Sequence, residues 1–200
     1  MPSLRAQRAS RRVTGALHQR LGRLQLANPV LVAAGTFGYG VEFQRAVRLQ
    51  ALGGVVTKTI TVQPRIGIPA PRLIETPSGM LNAVGLQNVG LDAFVSEKLP
   101  EIGRLGVPVV VSVLGETLGE IKELCSRLNT HDSVAAIEVN LSCPNFPERH
   151  NPDNKRRFDM IAQDPGATAE VIACARQSTT KPLIAKLSPD VTDIRVIAQA

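Results

Sequence analysis

The segment AAIEVNLSCPN, Ala135 to Asn145, decides how the rest of this chain is read. Its apolar start, Ala135 to Val139, has the length and character of a buried strand, and Pro144 blocks further ladder bonding. At Asn140 the run breaks into a polar turn that holds Ser142, Cys143 and Asn145. A thiol just beyond the C-terminal end of a buried strand stands where α/β barrels collect their chemistry. Free cysteine is also among the most buried residue types, so taken alone Cys143 reads equally well as core.

Similar runs recur near Val30, Val55, Val109 and Ile184, with helical patterns between them. Leu118, Ile121, Leu124, Cys125 and Leu128 repeat at helical spacing within Thr117 to Leu128, and Ala167 to Ser178 reads as another helix. Glu42 to Leu52 places Phe43, Ala46, Val47 and Ala51 on one face and stops at Gly53-Gly54, which predicts a helix. Leu91 to Leu105 predicts a helix interrupted near Pro100. Residues 61 to 90, with Pro64, Pro69, Pro71 and Pro77, have no strong period; a connection of that length predicts a binding loop or lid.

Strands alternating with helices predict a parallel sheet, either doubly wound or closed into a barrel. The dinucleotide fingerprint G-x-G-x-x-G follows none of the strands, whereas Thr36, Lys58, Asn140 and Lys186 all fall at C-terminal strand ends. A barrel gathers such ends on one rim, so the expected fold is α/β, a (β/α)8 TIM barrel. Only about five βα units are present, so the chain is expected to be C-terminally incomplete. Lys58 and Lys186 are charged residues inside apolar runs. Each must be paired, snorkelling from a strand end, or functional.

The net charge of +6 is confined to the start. Arg5, Arg8, Arg11, Arg12, Arg20 and Arg23 lie in residues 1 to 23 without an acid, leaving 17 basic residues against 17 acidic ones. We therefore expect a basic flexible arm over 1–23 and a neutral domain over 24–200. Aromatics make up 3% of the chain and Trp is absent, which argues against a nucleic-acid surface. The longest apolar run, Val107 to Leu114, is too short to span a bilayer. Cys125, Cys143 and Cys174 are odd in number and lack metal-ligand spacing, which points to a reducing, cytoplasmic setting without a structural metal.

Five motifs now stand in order: AAGTFGYG (33–40), VTKTIT (56–61), MLNAVGLQN (80–88), EVNLSCPN (138–145) and KLSPDVTDI (186–194). From about Leu24 to Ile194 the chain resembles class 1 dihydroorotate dehydrogenases, flavin enzymes of pyrimidine biosynthesis. The SCPN form resembles enzymes whose base is cysteine, and NAVGLQN with AGTFGYG is more similar to the NAD-linked branch. The resemblance implies FMN-dependent oxidation of dihydroorotate to orotate. It also implies a homodimeric core and an iron–sulfur/FAD electron-transfer subunit as partner.

By the same resemblance Cys143 is the catalytic base, on a mobile loop that shuts out water. Ala34, Gly35, Lys58, Thr59, Asn140 and Lys186 would contact FMN. Lys58, Asn82, Asn140 and Asn145, with backbone groups of Ala83, Val84, Gly85 and Leu86, would hold the substrate. There are departures: Ala34 stands where a serine is usual, and Ser112 where an asparagine commonly touches flavin. The loop from Phe146 to Pro165 lacks the usual glycine-rich segment. The phosphate-binding loops expected after the seventh and eighth strands are not in the chain. A related flavin-dependent dihydropyrimidine dehydrogenase and a non-catalytic remnant are the competing readings.

Overall fold

The computed structural model describes residues 16–143 and 160–200. The described chain opens with an antiparallel hairpin of β1 (Gln19–Leu21) and β2 (Leu24–Leu26). Arg20 donates to the Gly22 carbonyl at 2.7 Å, and Arg23 donates to the carbonyl of Thr180. The end of the stretch expected to be a loose basic arm is thus built into the fold. Residues 1–15 lie outside the described residues.

The chain continues through β3 (Leu31–Val32) and β4 (Gly54–Val56), then a second hairpin of β5 (Leu73–Thr76) and β6 (Gly79–Asn82). The helical run α1 (Gly90–Ala93), a π turn (Phe94–Lys98) and α2 (Leu99–Ile102) leads to β7 (Val109–Val113). After these come α3 (Leu118–Asn129), β8 (Ala136–Asn140), α4 (Pro165–Ser178), β9 (Leu183–Lys186) and α5 (Ile194–Ala198). The central sheet has the order β3-β4-β7-β8-β9, and every pair in it is parallel. Strands follow one another without the reversal that marks a doubly wound sheet, which is the order in which a barrel is built.

Local chemistry explains the helices. Thr117 accepts the Glu120 N–H at 3.2 Å to start α3, and Asp164 accepts the Ala167 N–H at 3.1 Å to start α4. Pro165 occupies the first turn of α4, where its missing N–H costs nothing. Pro100 has no N–H to offer and its ring crowds the carbonyl four residues back, so the turn before α2 widens into π geometry.

Two expectations are corrected. Residues 42–52 form no α-helix but two 3₁₀ turns, Val41–Phe43 and Leu49–Ala51. Phe43 and Val47 are each 37% exposed, and Phe43 is stacked on Phe37 with ring centroids 4.4 Å apart, so the amphipathic face buries too little to hold a helix. Residues 61–90 are not an irregular connection throughout, since they contain the β5–β6 hairpin with pairs from Leu73↔Asn82 to Thr76↔Gly79. Every residue of that hairpin is exposed, so neither face imposes an apolar alternation on the sequence.

Alternation in the central strands separates two cores. Val109, Val111, Val113, Ile137 and Val139 point to the helical layer and pack with Phe94, Leu99, Ile121, Leu124 and Leu128. Val56, Val110 and Ala136 point the other way and are covered by Leu24 and Leu26 of the hairpin, with Leu31, Ala34 and Ile184 alongside. The hairpin therefore seals the end of the sheet opposite the C-terminal strand ends. No helix among the described residues is long and apolar enough to cross a membrane.

Leu26, 1% exposed, anchors this seal. Leu26→Ala should lower the unfolding free energy by about 2–4 kcal/mol in urea titration, whereas Leu21→Ala on the exposed partner strand should change it by less than about 0.5 kcal/mol.

Candidate functional site

Strands β4 and β7 pair at Val56↔Val110, and the next bridge joins Ile60 to Val113. One strand advances four residues while its neighbour advances three, so residues 57–59 hold a β-bulge. The backbone bonds agree: Thr57 N–H donates to Val110 at 2.9 Å and Ile60 N–H to Ser112 at 2.9 Å. The extra residue breaks alternation and brings two consecutive side chains to the sealed face. Lys58 is in phase with Val56, and Thr59 reaches across to β7 and β8. Lys58 N–H also donates to Gly38 O at 2.7 Å, which ties the glycine-rich stretch 33–40 to the same strand end.

Above the apolar floor of Val56, Val110 and Ala136 lies a buried polar chain. Ser112 Oγ donates to Glu138 Oε1 at 2.8 Å and lies 2.9 Å from Thr59 Oγ1. Asn140 Nδ2 donates to Thr59 Oγ1 at 3.2 Å. Asn140 Oδ1 accepts from the Ser142 N–H at 3.3 Å and the Ser142 hydroxyl at 3.0 Å. Ladder register places Ser112 beside Glu138, and Glu138 beside Ile184; one layer higher, Asn140 stands beside Lys186. The face thus runs from apolar, through hydroxyl and carboxylate, to amide and ammonium at the C-terminal rim.

Lys58 is half-buried. Burial, and then the nearby Arg72 guanidinium, pull its pKa below the ordinary lysine value. Neither Lys58 nor Lys186 forms an ion pair with a carboxylate among the described residues. Two cations beside a desolvated face can hold an anionic group or stabilise negative charge as it develops. Arg72 in turn braces the segment that carries the hairpin, donating to the carbonyls of Ile68 at 2.7 Å and Ile66 at 3.1 Å, and to the Gln87 side chain.

Cys143 is buried against Leu114, and Leu86 packs against this pair. Leu86 has φ 53, a left-handed conformation that costs a non-glycine residue about 1 kcal/mol. It follows Gly85, φ 73, where an added Cβ would lie 2.8 Å from the Ile68 nitrogen. Asn88 holds this corner: its Nδ2 donates to Leu86 O at 2.8 Å and to Thr61 Oγ1 at 3.0 Å, and its Oδ1 accepts the Gly90 N–H at 2.9 Å. The other two cysteines belong to the helices. Burial pushes the Cys125 thiol up to about 11, and Cys174 donates to the Leu118 carbonyl at 3.4 Å.

The expected site residues are placed as follows. Thr59 and Asn140 are hydrogen-bonded, Asn140 and Lys186 are ladder neighbours, and Cys143 shares a small apolar cluster with Leu114 against which Leu86 packs. Ala34 packs on the apolar floor, and Gly35 takes φ 84 in the exposed turn that follows it. Asn82 ends β6 in an exposed position, and its side chain makes no hydrogen bond among the described residues. Ala83 N–H donates to Arg72 O at 3.0 Å, and Val84 O accepts from Ile68 N–H at 3.1 Å. Asn145 lies outside the described residues. Sequence reasoning passed over Glu138, Arg72 and Asn88. Glu138 carried a signal equal to that of Lys58, a charge inside an apolar strand, while Asn88 ended a motif already singled out.

Parallel βα units whose polar side chains collect at C-terminal strand ends define an α/β protein with a barrel-type active face. The sequence profile described as dihydroorotate dehydrogenase matches residues 16–200, and the chain belongs to that family. It is 48% identical over 185 residues to the dihydroorotate dehydrogenase B (NAD(+)) catalytic subunit of Trichlorobacter lovleyi, covering 92% of this chain and 58% of the relative. It is also 48% identical to the protein of the same name from Pelobacter propionicus, covering 90% of this chain and 57% of that one. The Desulforudis audaxviator protein of that name matches at 48% over 88% of this chain. The chain spans a little over half the length of these relatives.

The lowered pKa of Lys58 has a sign. Below that value the ammonium is charged in both folded and unfolded chains and opposes folding. Stability rises with pH between the folded value and the ordinary lysine value, where the unfolded chain binds more protons. Lys58→Met should therefore raise the melting midpoint near neutral pH by about 2 °C, with a gap that closes as pH rises through this window. The same variant should weaken binding of a carboxylate ligand by about tenfold or more in calorimetric titration.

Proposed function

We propose that this chain supplies the first five βα units of an FMN-binding (β/α)8 barrel that oxidises dihydroorotate to orotate in pyrimidine biosynthesis. The observation that carries the reading is the Thr59–Asn140 hydrogen bond with Lys186 beside Asn140 at the C-terminal strand ends, Lys58 preceding Thr59 in the bulge and Cys143 three residues beyond Asn140. The family and the names of its relatives support it, and they favour the NAD-linked branch.

The residues present fit a flavin ring. An apolar floor, a hydroxyl, an amide and two ammonium groups suit a heterocycle that is apolar on its faces and polar along its edges. The exposed turn at Ala34 and Gly35 leaves main-chain groups for the ring edge. The phosphate would be held by loops after the seventh and eighth strands, outside the five units described here. When bound, FMN supplies an acceptor for the hydride that leaves the substrate ring.

The chain's own residues do the rest. Cys143, as thiolate, removes the proton from the ring carbon next to the carbonyl, a weak carbon acid that needs a base in contact and water excluded. Packing of Leu86 and Leu114 around the sulfur keeps that corner dry. Lys58 holds the substrate carboxylate, and Lys186 stabilises negative charge at the cofactor side. Amides of Asn82, Asn140 and Asn145, with backbone groups from Ala83 to Leu86, fix the ring. The oxidised product is orotate. In the assembled enzyme, electrons leave through an iron–sulfur/FAD subunit bound to a homodimeric core.

In the complete polypeptide that carries this sequence, Cys143→Ser should slow dihydroorotate-dependent bleaching of the flavin absorbance by about 100-fold or more at neutral pH. Bound FMN should be retained. Wild-type bleaching rates in the variant would remove Cys143 from the role of base, and turnover of dihydrouracil in place of dihydroorotate would reject the substrate.

A further inference from the structure

Glu138 is a carboxylate on a central strand, 7% exposed, with Ser112 on one side and Ile184 on the other. Its only hydrogen bond among the described residues comes from Ser112 Oγ at 2.8 Å. Burying a charge with one neutral partner is costly and contributes nothing to packing that a leucine would not do better. Such a group calls for a role.

We infer that Glu138 is a positioning residue: through Ser112 and Thr59 it holds one side of the Asn140 amide while Ser142 holds the other, and together they present an amide donor to the ligand. The inference rests on reading the rim as the flavin and pyrimidine site. The number of hydroxyl protons in the chain fixes the direction of each bond. A carboxylate only accepts, so the single hydroxyl proton of Ser112 goes to Glu138. Ser112 oxygen, 2.9 Å from Thr59 Oγ1, must then accept the Thr59 proton. With that proton spent, Thr59 can only accept from residue 140, and Asn140 Nδ2 supplies the bond at 3.2 Å. Asn140 Oδ1 therefore turns away from Thr59 to the Ser142 N–H and hydroxyl, at 3.3 and 3.0 Å. One amide hydrogen of Asn140 is left as a donor for a ring carbonyl or nitrogen.

Remove the negative end and only the two bonds from Ser142 still direct the amide. A glutamine at 138 can donate to Ser112, which can donate to Thr59, which can donate onward to residue 140. Asn140 could then face Thr59 with its oxygen only by giving up both bonds to Ser142. The bulge is what makes the chain continuous, because without the extra residue Thr59 would point into the helical layer.

The test uses the complete polypeptide with flavin bound, titrated with orotate and read both by calorimetry and by perturbation of the flavin spectrum. Glu138→Gln and Ser112→Ala should each weaken orotate binding by about tenfold. The double variant should bind no more weakly than the weaker-binding single variant, since both cut one chain. The melting midpoint of Glu138→Gln should equal or exceed that of the wild type, which a carboxylate that stabilises the fold would not allow. Unchanged affinity in Glu138→Gln, or losses that multiply in the double variant, would overturn the relay while the functional reading stands. A wild type that binds no orotate would overturn that reading, and the relay with it.

Discussion

A parallel strand covered by helices on one side and by a hairpin on the other buries both of its faces, and in this chain the two faces differ in character. The outward face of β7 and β8 is all valine and isoleucine against the helices, and it holds the sheet together. The inward face changes character along each strand, from Val110 to Ser112 on β7 and from Ala136 through Glu138 to Asn140 on β8. Everything at the rim depends on that second face being sealed below. Leu24 and Leu26 exclude water from the floor, and the low polarity beneath makes each hydrogen bond above it count for more.

The bulge after β4 is the other structural condition. Regular alternation would expose only every second residue of VTKTIT to the interior. One unpaired residue lets Lys58 and Thr59 both serve it. The same irregularity explains why the ladder at β4 ends early at Val56 although the apolar, β-branched run continues to Ile60. A bulge also bends its strand, and bending is what a sheet needs in order to curl towards closure.

Stability and function pull against each other at this rim. Lys58 is held below its ordinary pKa by burial and by Arg72, Glu138 is buried with one hydrogen-bond partner among the described residues, and Leu86 is held at positive φ. Each is unfavourable for folding taken alone. They persist because the helical layer, with Phe94, Leu124 and Leu128 fully buried, supplies stability elsewhere. Strain and uncompensated charge concentrated at one end of a well-packed sheet are the usual mark of a working site.

The sequence by itself determined the parallel βα order, the presence of β7 and α4, the extent of α3 and β8 to within about a residue, and the identity of Cys143, Lys58, Asn140 and Lys186 as residues at strand ends. These features are local: apolar period, capping residues and a proline suffice to reveal them. Only the tertiary structure decided that residues 42–52 stay out of a helix, that residues 73–82 pair as an exposed hairpin, and that Gln19 to Leu26 closes the floor. It alone showed that one extra residue puts Thr59 in reach of Ser112 and Asn140. Those outcomes depend on which surfaces meet across long stretches of chain, and a one-residue shift in register has no signature in the sequence that carries it.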